Sequence, residues 1–132
     1  MKKHGILNSQ IAKVVDDLGH MDMVTIGDMG LPVPATVPKI DLAVKMGEPK
    51  FLTVLTDYLQ HVEVEKVILA EEIKTQNETM LTEIKRFLPE QVEIEYISHR
   101  LFKEKTNETK AVIRTGEATP YANIILVSGV IF

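Results

Sequence analysis

Apolar residues recur along this chain at two different spacings, and each switch between them marks an element. Ile11, Val14, Val15 and Leu18 fall at i, i+3, i+4 and i+7, the stripe of a helix that Ser9 would cap and Gly19 would end. Residues 23–27 read as a short strand running into Asp28. Gly30, Pro32, Pro34 and Pro38 make the following stretch rigid and non-helical. A second short strand is expected over residues 40–44. After it comes a helix with Pro49 in its first turn and Phe51, Leu52, Leu55, Tyr58 and Leu59 along its length.

Residues 64–70 form the third predicted strand, interrupted by Lys66. Asn77 stands where it would cap a helix carrying Met80, Leu81, Ile84, Phe87 and Leu88 on one face, with Pro89 beyond its end. Val92, Ile94 and Tyr96 alternate with Glu93 and Glu95, the period of a half-buried strand. A short helix is expected over residues 99–105, then strands at 111–114 and 123–127. Strands and helices alternate for most of the chain. The expected fold is therefore α/β, one domain over residues 1–132, with a largely parallel sheet flanked by helices. Residues 127–132 are unusually apolar for a free terminus, so a neighbouring subunit is a candidate to cover them.

Composition narrows the functional classes. The 132 residues are 45% hydrophobic, enough for one core and too apolar for a disordered chain. Fifteen Lys+Arg against 19 Asp+Glu leave a net charge of −4, and no basic run exceeds Lys2-Lys3. That balance argues against nucleic acid and against a polybasic membrane anchor. No apolar run approaches the ~20 residues of a membrane span, so no membrane insertion and a cytoplasmic location are expected. The absence of Cys excludes disulfides, thiol nucleophiles and Cys-ligated zinc.

In open α/β sheets ligands bind beyond the carboxyl ends of the strands. Those ends carry Asp28, Glu71-Glu72, Ser98-His99 and Gly116-Glu117, and His20 follows Gly19 at the end of the first helix. Histidines and carboxylates without a thiol suit proton transfer. Each also has a plainer reading: His20 as a cation at a helix end, Asp28 as a turn former, Glu71-Glu72 as a solvated helix start, His99 as a surface residue. The spacing of His20, Asp28 and His99 matches no compact metal motif, so no metal is expected. Gly27-Asp28-Met29-Gly30 lacks the spacing and the Lys of a phosphate loop, which disfavours nucleotide cofactors. The stretch 116–123, dense in specific polar groups, runs directly into the last predicted strand.

Three stretches carry a resemblance. They are residues 1–8 (MKKHGILN), the segment from Asp17 through Leu18-Gly19-His20 to Asp22, and Gly27-Asp28-x-Gly30-Leu31-Pro32-x-Pro34. With residues 114–123 (RTGEATPYAN), they resemble the D-ribose pyranase family, to which L-fucose mutarotases are related. The similarity spans residues 1–123, and two positions depart from it. Met21 stands where a small polar residue is expected, and Met29 where a smaller one is usual.

The resemblance implies an enzyme that interconverts β-pyranose and β-furanose D-ribose, supplying the furanose form to ribokinase. It implies His20 as the catalytic acid and Asp28, His99, Tyr121, Ala122 and Asn123 as sugar-binding residues. It also implies a homo-oligomer of rings paired into a decamer, with each site near a subunit boundary. Such chemistry needs no cofactor: one proton leaves the anomeric hydroxyl, another reaches the ring oxygen, and a different hydroxyl closes on the aldehyde. A histidine titrating near pH 6.5 suits that exchange. On this reading the 116–123 loop is one wall of a sugar site. L-fucose mutarotation, non-catalytic sugar binding and a purely structural ring are the competing readings.

Overall fold

The computed structural model describes Met1–Phe132. Its six strands are β1 (Met23–Gly27), β2 (Lys39–Asp41), β3 (Val64–Ala70), β4 (Glu93–Ile97), β5 (Val112–Arg114) and β6 (Ile124–Ser128). They form one sheet in the order β2-β5-β1-β6-β3-β4. β1 and β2 each pair with β5 in parallel, and β3 pairs in parallel with β4. β6 runs antiparallel to both β1 and β3. Five strands thus point one way, with a single reversed strand between β1 and β3.

The helices are α1 (Ser9–Asp16), α2 (Phe51–His61), α3 (Ile73–Gln76), α4 (Glu78–Phe87) and α5 (His99–Lys105). Strand alternation divides the core into two layers. Val24, Ile26, Val67, Leu69, Ile124 and Leu126 face Ile11 of α1, Phe51 and Leu55 of α2, and Leu81 and Ile84 of α4. The intervening Ile68, Val112 and Ile125 face the other way, onto Phe102 of α5 and onto Leu31 and Val37 of the proline-rich loop.

Several boundaries differ from expectation, each for a local reason. Asn8, not Ser9, caps α1, its side-chain oxygen accepting from the Gln10 and Ile11 amides at 3.0 Å each. α1 stops at Asp16, so Gly19 and His20 lie in the turn beyond it rather than at its last carbonyls. β2 ends at Asp41, whose carboxylate accepts from the Ala43 amide at 3.0 Å and turns the chain. Pro49 precedes the Lys50 cap of α2 instead of occupying its first turn.

Candidate functional site

The reversal of β6 determines which groups meet. Because β6 is antiparallel, the residues before it lie at the same end of the sheet as the residues after β1, β3, β4 and β5. Asp28, Glu72, His99 and the 116–123 loop therefore converge.

Asp28 is held on three sides. Its amide donates to Asn123 Oδ1 at 2.8 Å, and Asn123 Nδ2 donates to Asp28 Oδ2 at 3.0 Å. Its other oxygen accepts from the Gly30 amide at 2.9 Å. Asn123 is fully buried, so its amide acts first as the clamp that aims Asp28. Gly27 leaves room for that clamp: a Cβ there would lie 3.0 Å from Asn123 Oδ1 and 2.6 Å from Leu31 Cδ2. Arg114 braces the same turn, donating through Nε to the Met29 carbonyl at 2.9 Å and pairing with Asp41 at 2.9 Å.

His99 opens α5, which Ser98 caps. Both carboxylate oxygens of Glu72 accept from the His99 backbone amide at 3.0 Å. The imidazole meets the Tyr121 ring edge-on at 5.1 Å between centroids and stacks on Phe102 at 6.3 Å. Burial pushes the proton affinity of His99 below its usual 6.5, Lys103 adds to the effect, and Glu72 and Asp28 oppose it. The geometry agrees with that direction. Nδ1 is buried without a hydrogen-bond partner, and charging the ring would place an unpaired N–H there. His99 is thus a neutral imidazole near pH 7.

Tyr121 adopts the left-handed backbone, φ 57°, which is costly for a residue with a side chain. Its neighbours hold it there. Asn77 caps α4 with its oxygen and donates its amide to Thr119 Oγ1 at 3.0 Å and to the Pro120 carbonyl at 2.7 Å. Glu117 accepts from the Phe51 amide at 3.1 Å and from the Thr119 hydroxyl at 2.9 Å, fixing the loop to the start of α2. Ala122 is fully buried, backbone included, so it supports the loop from within and presents no surface of its own in the single chain.

His20 stands apart. It lies before β1, and the five residues of that strand put roughly 17 Å of sheet between it and Asp28, at ~3.3 Å per residue. It is exposed, pairs with Glu65 at 3.1 Å, and lines a cavity of about 310 Å³ with His61, Glu63, Ser128 and the C-terminal residues. Five of the six expected residues come together, and the sixth sits at the opposite end of the same sheet.

A larger cavity, about 720 Å³, lies elsewhere, between the N-terminal segment and α2; its lining includes Ile6, Asn8, Val54 and Tyr58. It contains none of the six. Of the supports, Glu72 stands among the strand-end candidates of the sequence, whereas Asn77 and Arg114 were not singled out there as functional. Asn77 was legible only as a helix cap, because its second role depends on a loop 42 residues away.

Chemically, this end of the sheet gathers a fixed carboxylate, a neutral imidazole and a phenol with a ring face, groups able to hydrogen-bond several hydroxyls at once. The chain belongs to the RbsD / FucU transport protein family, whose model matches residues 1–131. It is 62% identical over 130 residues to a D-ribose pyranase of Streptococcus uberis, covering 98% of each chain. It also superposes on Bacillus subtilis RbsD complexed with D-ribose, with TM-score 0.97, 52% identity and complete coverage of both chains. The fucose mutarotase of Streptococcus pneumoniae, solved with L-fucose, shares the fold at TM-score 0.75 and 20% identity, over 96% of this chain and 95% of that one.

Proposed function

We propose that this protein is an enzyme that interconverts the pyranose and furanose forms of D-ribose by acid–base ring opening and closing. The observation that carries the proposal is the convergence of the clamped Asp28 carboxylate with the His99–Tyr121 ring pair at one end of the sheet. D-ribose pyranases at up to 62% identity over nearly the whole chain support ribose over fucose as the sugar.

In this reading Asp28, His99 and Tyr121 hold the sugar hydroxyls, while the buried Ala122 and Asn123 fix the loop and the Asp28 carboxylate behind them. His20 moves the proton. The anomeric hydroxyl gives up its proton as the ring oxygen receives one, the C1–O5 bond breaks, and the open aldehyde forms. O4 then attacks C1, and the protons return in the reverse sense. No electron leaves the sugar, and no group is added to it.

His20 lies too far from Asp28 to serve the same sugar within one chain, so the complete site needs His20 from a second copy. A closed homo-oligomer, in its finer form a decamer of two five-membered rings, supplies that arrangement. The exposed Met21, Ile131 and Phe132 beside His20 favour such a contact. The role in ribose catabolism and the cytoplasmic location belong to the same proposal. NMR saturation transfer between the pyranose and furanose signals of D-ribose tests it. Enzyme should accelerate that exchange, and line shifts without acceleration would leave only a binding protein.

A further inference from the structure

We infer that Glu65 is a positioning residue for His20, selecting which ring nitrogen of His20 exchanges a proton with the sugar. This rests on the reading of His20 as the proton-transfer residue. An ionised carboxylate only accepts hydrogen bonds. The contact from His20 Nε2 to Glu65 Oε2, 3.1 Å, therefore requires the hydrogen on Nε2 and leaves Nδ1 bare. Nδ1 is then the nitrogen that takes a proton from the anomeric hydroxyl and delivers one to the ring oxygen. As an exposed contact it contributes little to stability. Its worth lies in orientation.

Three features build the contact into the fold. Glu65 is the extra residue of an irregularity in β3: Val64 pairs with Ser128 while Lys66 pairs with Val127. Such bulges re-aim a side chain. Gly129 packs against the bulge, where a Cβ would approach Glu65 Cβ to 3.3 Å, and its amide donates to the Glu63 carbonyl at 2.8 Å. On the other side, Met21 takes the left-handed backbone, φ 73°, and its amide donates to the Ser128 carbonyl at 2.9 Å. The Ser128–Gly129 backbone therefore grips both the residue after His20 and the strand that carries Glu65.

The test uses the full-length assembled protein, 15N-labelled at histidine. Long-range 1H–15N NMR reads the His20 tautomer, and saturation transfer reads ribose exchange. Glu65→Gln offers both a donor and an acceptor, so His20 should lose its single Nε2–H tautomer. Exchange should fall roughly 10- to 100-fold in kcat with little change in KM, the scale seen for partners that orient a functional histidine. Glu63→Gln, a neighbouring carboxylate not bonded to His20, should leave both readouts unchanged. A Glu65→Gln protein with the original tautomer and rate would overturn the inference while leaving the role of His20 intact. An equal loss in Glu63→Gln would overturn it too, since the effect would then be one of general charge. Normal exchange in His20→Ala would remove the reading of His20 and this inference with it.

Discussion

His99 is the residue where burial and hydrogen bonding bear most directly on protonation. The fold favours its neutral form, so its folded proton affinity lies below the unfolded value of 6.5. The sign follows from linkage: above pH 6.5 neither state binds the proton, while below it the unfolded chain binds first. Stability attached to His99 is thus complete above pH 6.5 and is lost as pH falls through the folded value. In thermal melts from pH 7.5 to 5, His99→Gln should lose less stability than the parent; equal slopes would show that His99 is not the group responsible. Asp28 makes a different argument. Its two oxygens accept from separate donors, Asn123 Nδ2 and the Gly30 amide. Asp28→Asn has one acceptor for those two donors, and a misplaced hydrogen bond of this kind costs on the order of 1–3 kcal/mol. Ribose affinity should drop about tenfold or more in a calorimetric titration. An unchanged dissociation constant would remove Asp28 from the sugar's contacts.

Elements explain why those residues are where they are. Gly27→Ala would push a methyl group into Leu31 and toward Asn123 Oδ1, spoiling the Asp28 clamp from behind. The variant should fold with a lower melting temperature and bind ribose more weakly, and normal affinity would show that the clamp tolerates displacement. Asn77→Ala removes a helix cap, worth ~1 kcal/mol, and also frees Thr119 and Pro120. It should therefore raise the ribose KM, which Glu78→Ala, altering the same helix end without touching the loop, should not do. Much of this level was legible in the sequence. β1, β3 and α5 run over the expected residues: β1 stops at Gly27-Asp28, β3 is a short apolar run despite Lys66, and α5 opens at the Ser98 cap. Asp28 and His99 were legible as strand-end residues for the same reason. The direction of β6 was not, since a buried apolar run reads identically in both orientations and its pairing is decided by Val24, Ile26, Val67 and Leu69, far away in the chain. That one reversal brings the 116–123 stretch to the end of the sheet that carries Asp28 and His99.

At the scale of the whole molecule, the sheet separates the chemistry into two ends. Asp28, His99 and Tyr121 occupy one, while His20, Glu65 and the tail occupy the other. The second end is also apolar, with Ile131 90% and Phe132 100% exposed. Burying such side chains is worth roughly 1.5–3 kcal/mol each, enough to drive a contact between copies. The sequence resemblance implied a site near a subunit boundary, and the separation within one chain gives that implication a physical form. If His20 of one copy faces Asp28 of another, two inactive variants can repair each other. Assayed at ribose well below the dissociation constant, His20→Ala and Asp28→Asn should each retain no more than about a tenth of the parental rate alone. Co-expressed in equal amounts and assembled at random, they should regain roughly a quarter of the parental exchange rate, because one boundary in four then joins two unaltered residues, given a head-to-tail ring. Native mass spectrometry would verify that the subunits mix. If mixed assemblies stay as inactive as the separate variants, His20 and Asp28 serve the same copy, and the chain would have to rearrange by more than the length of β1 to bring them together.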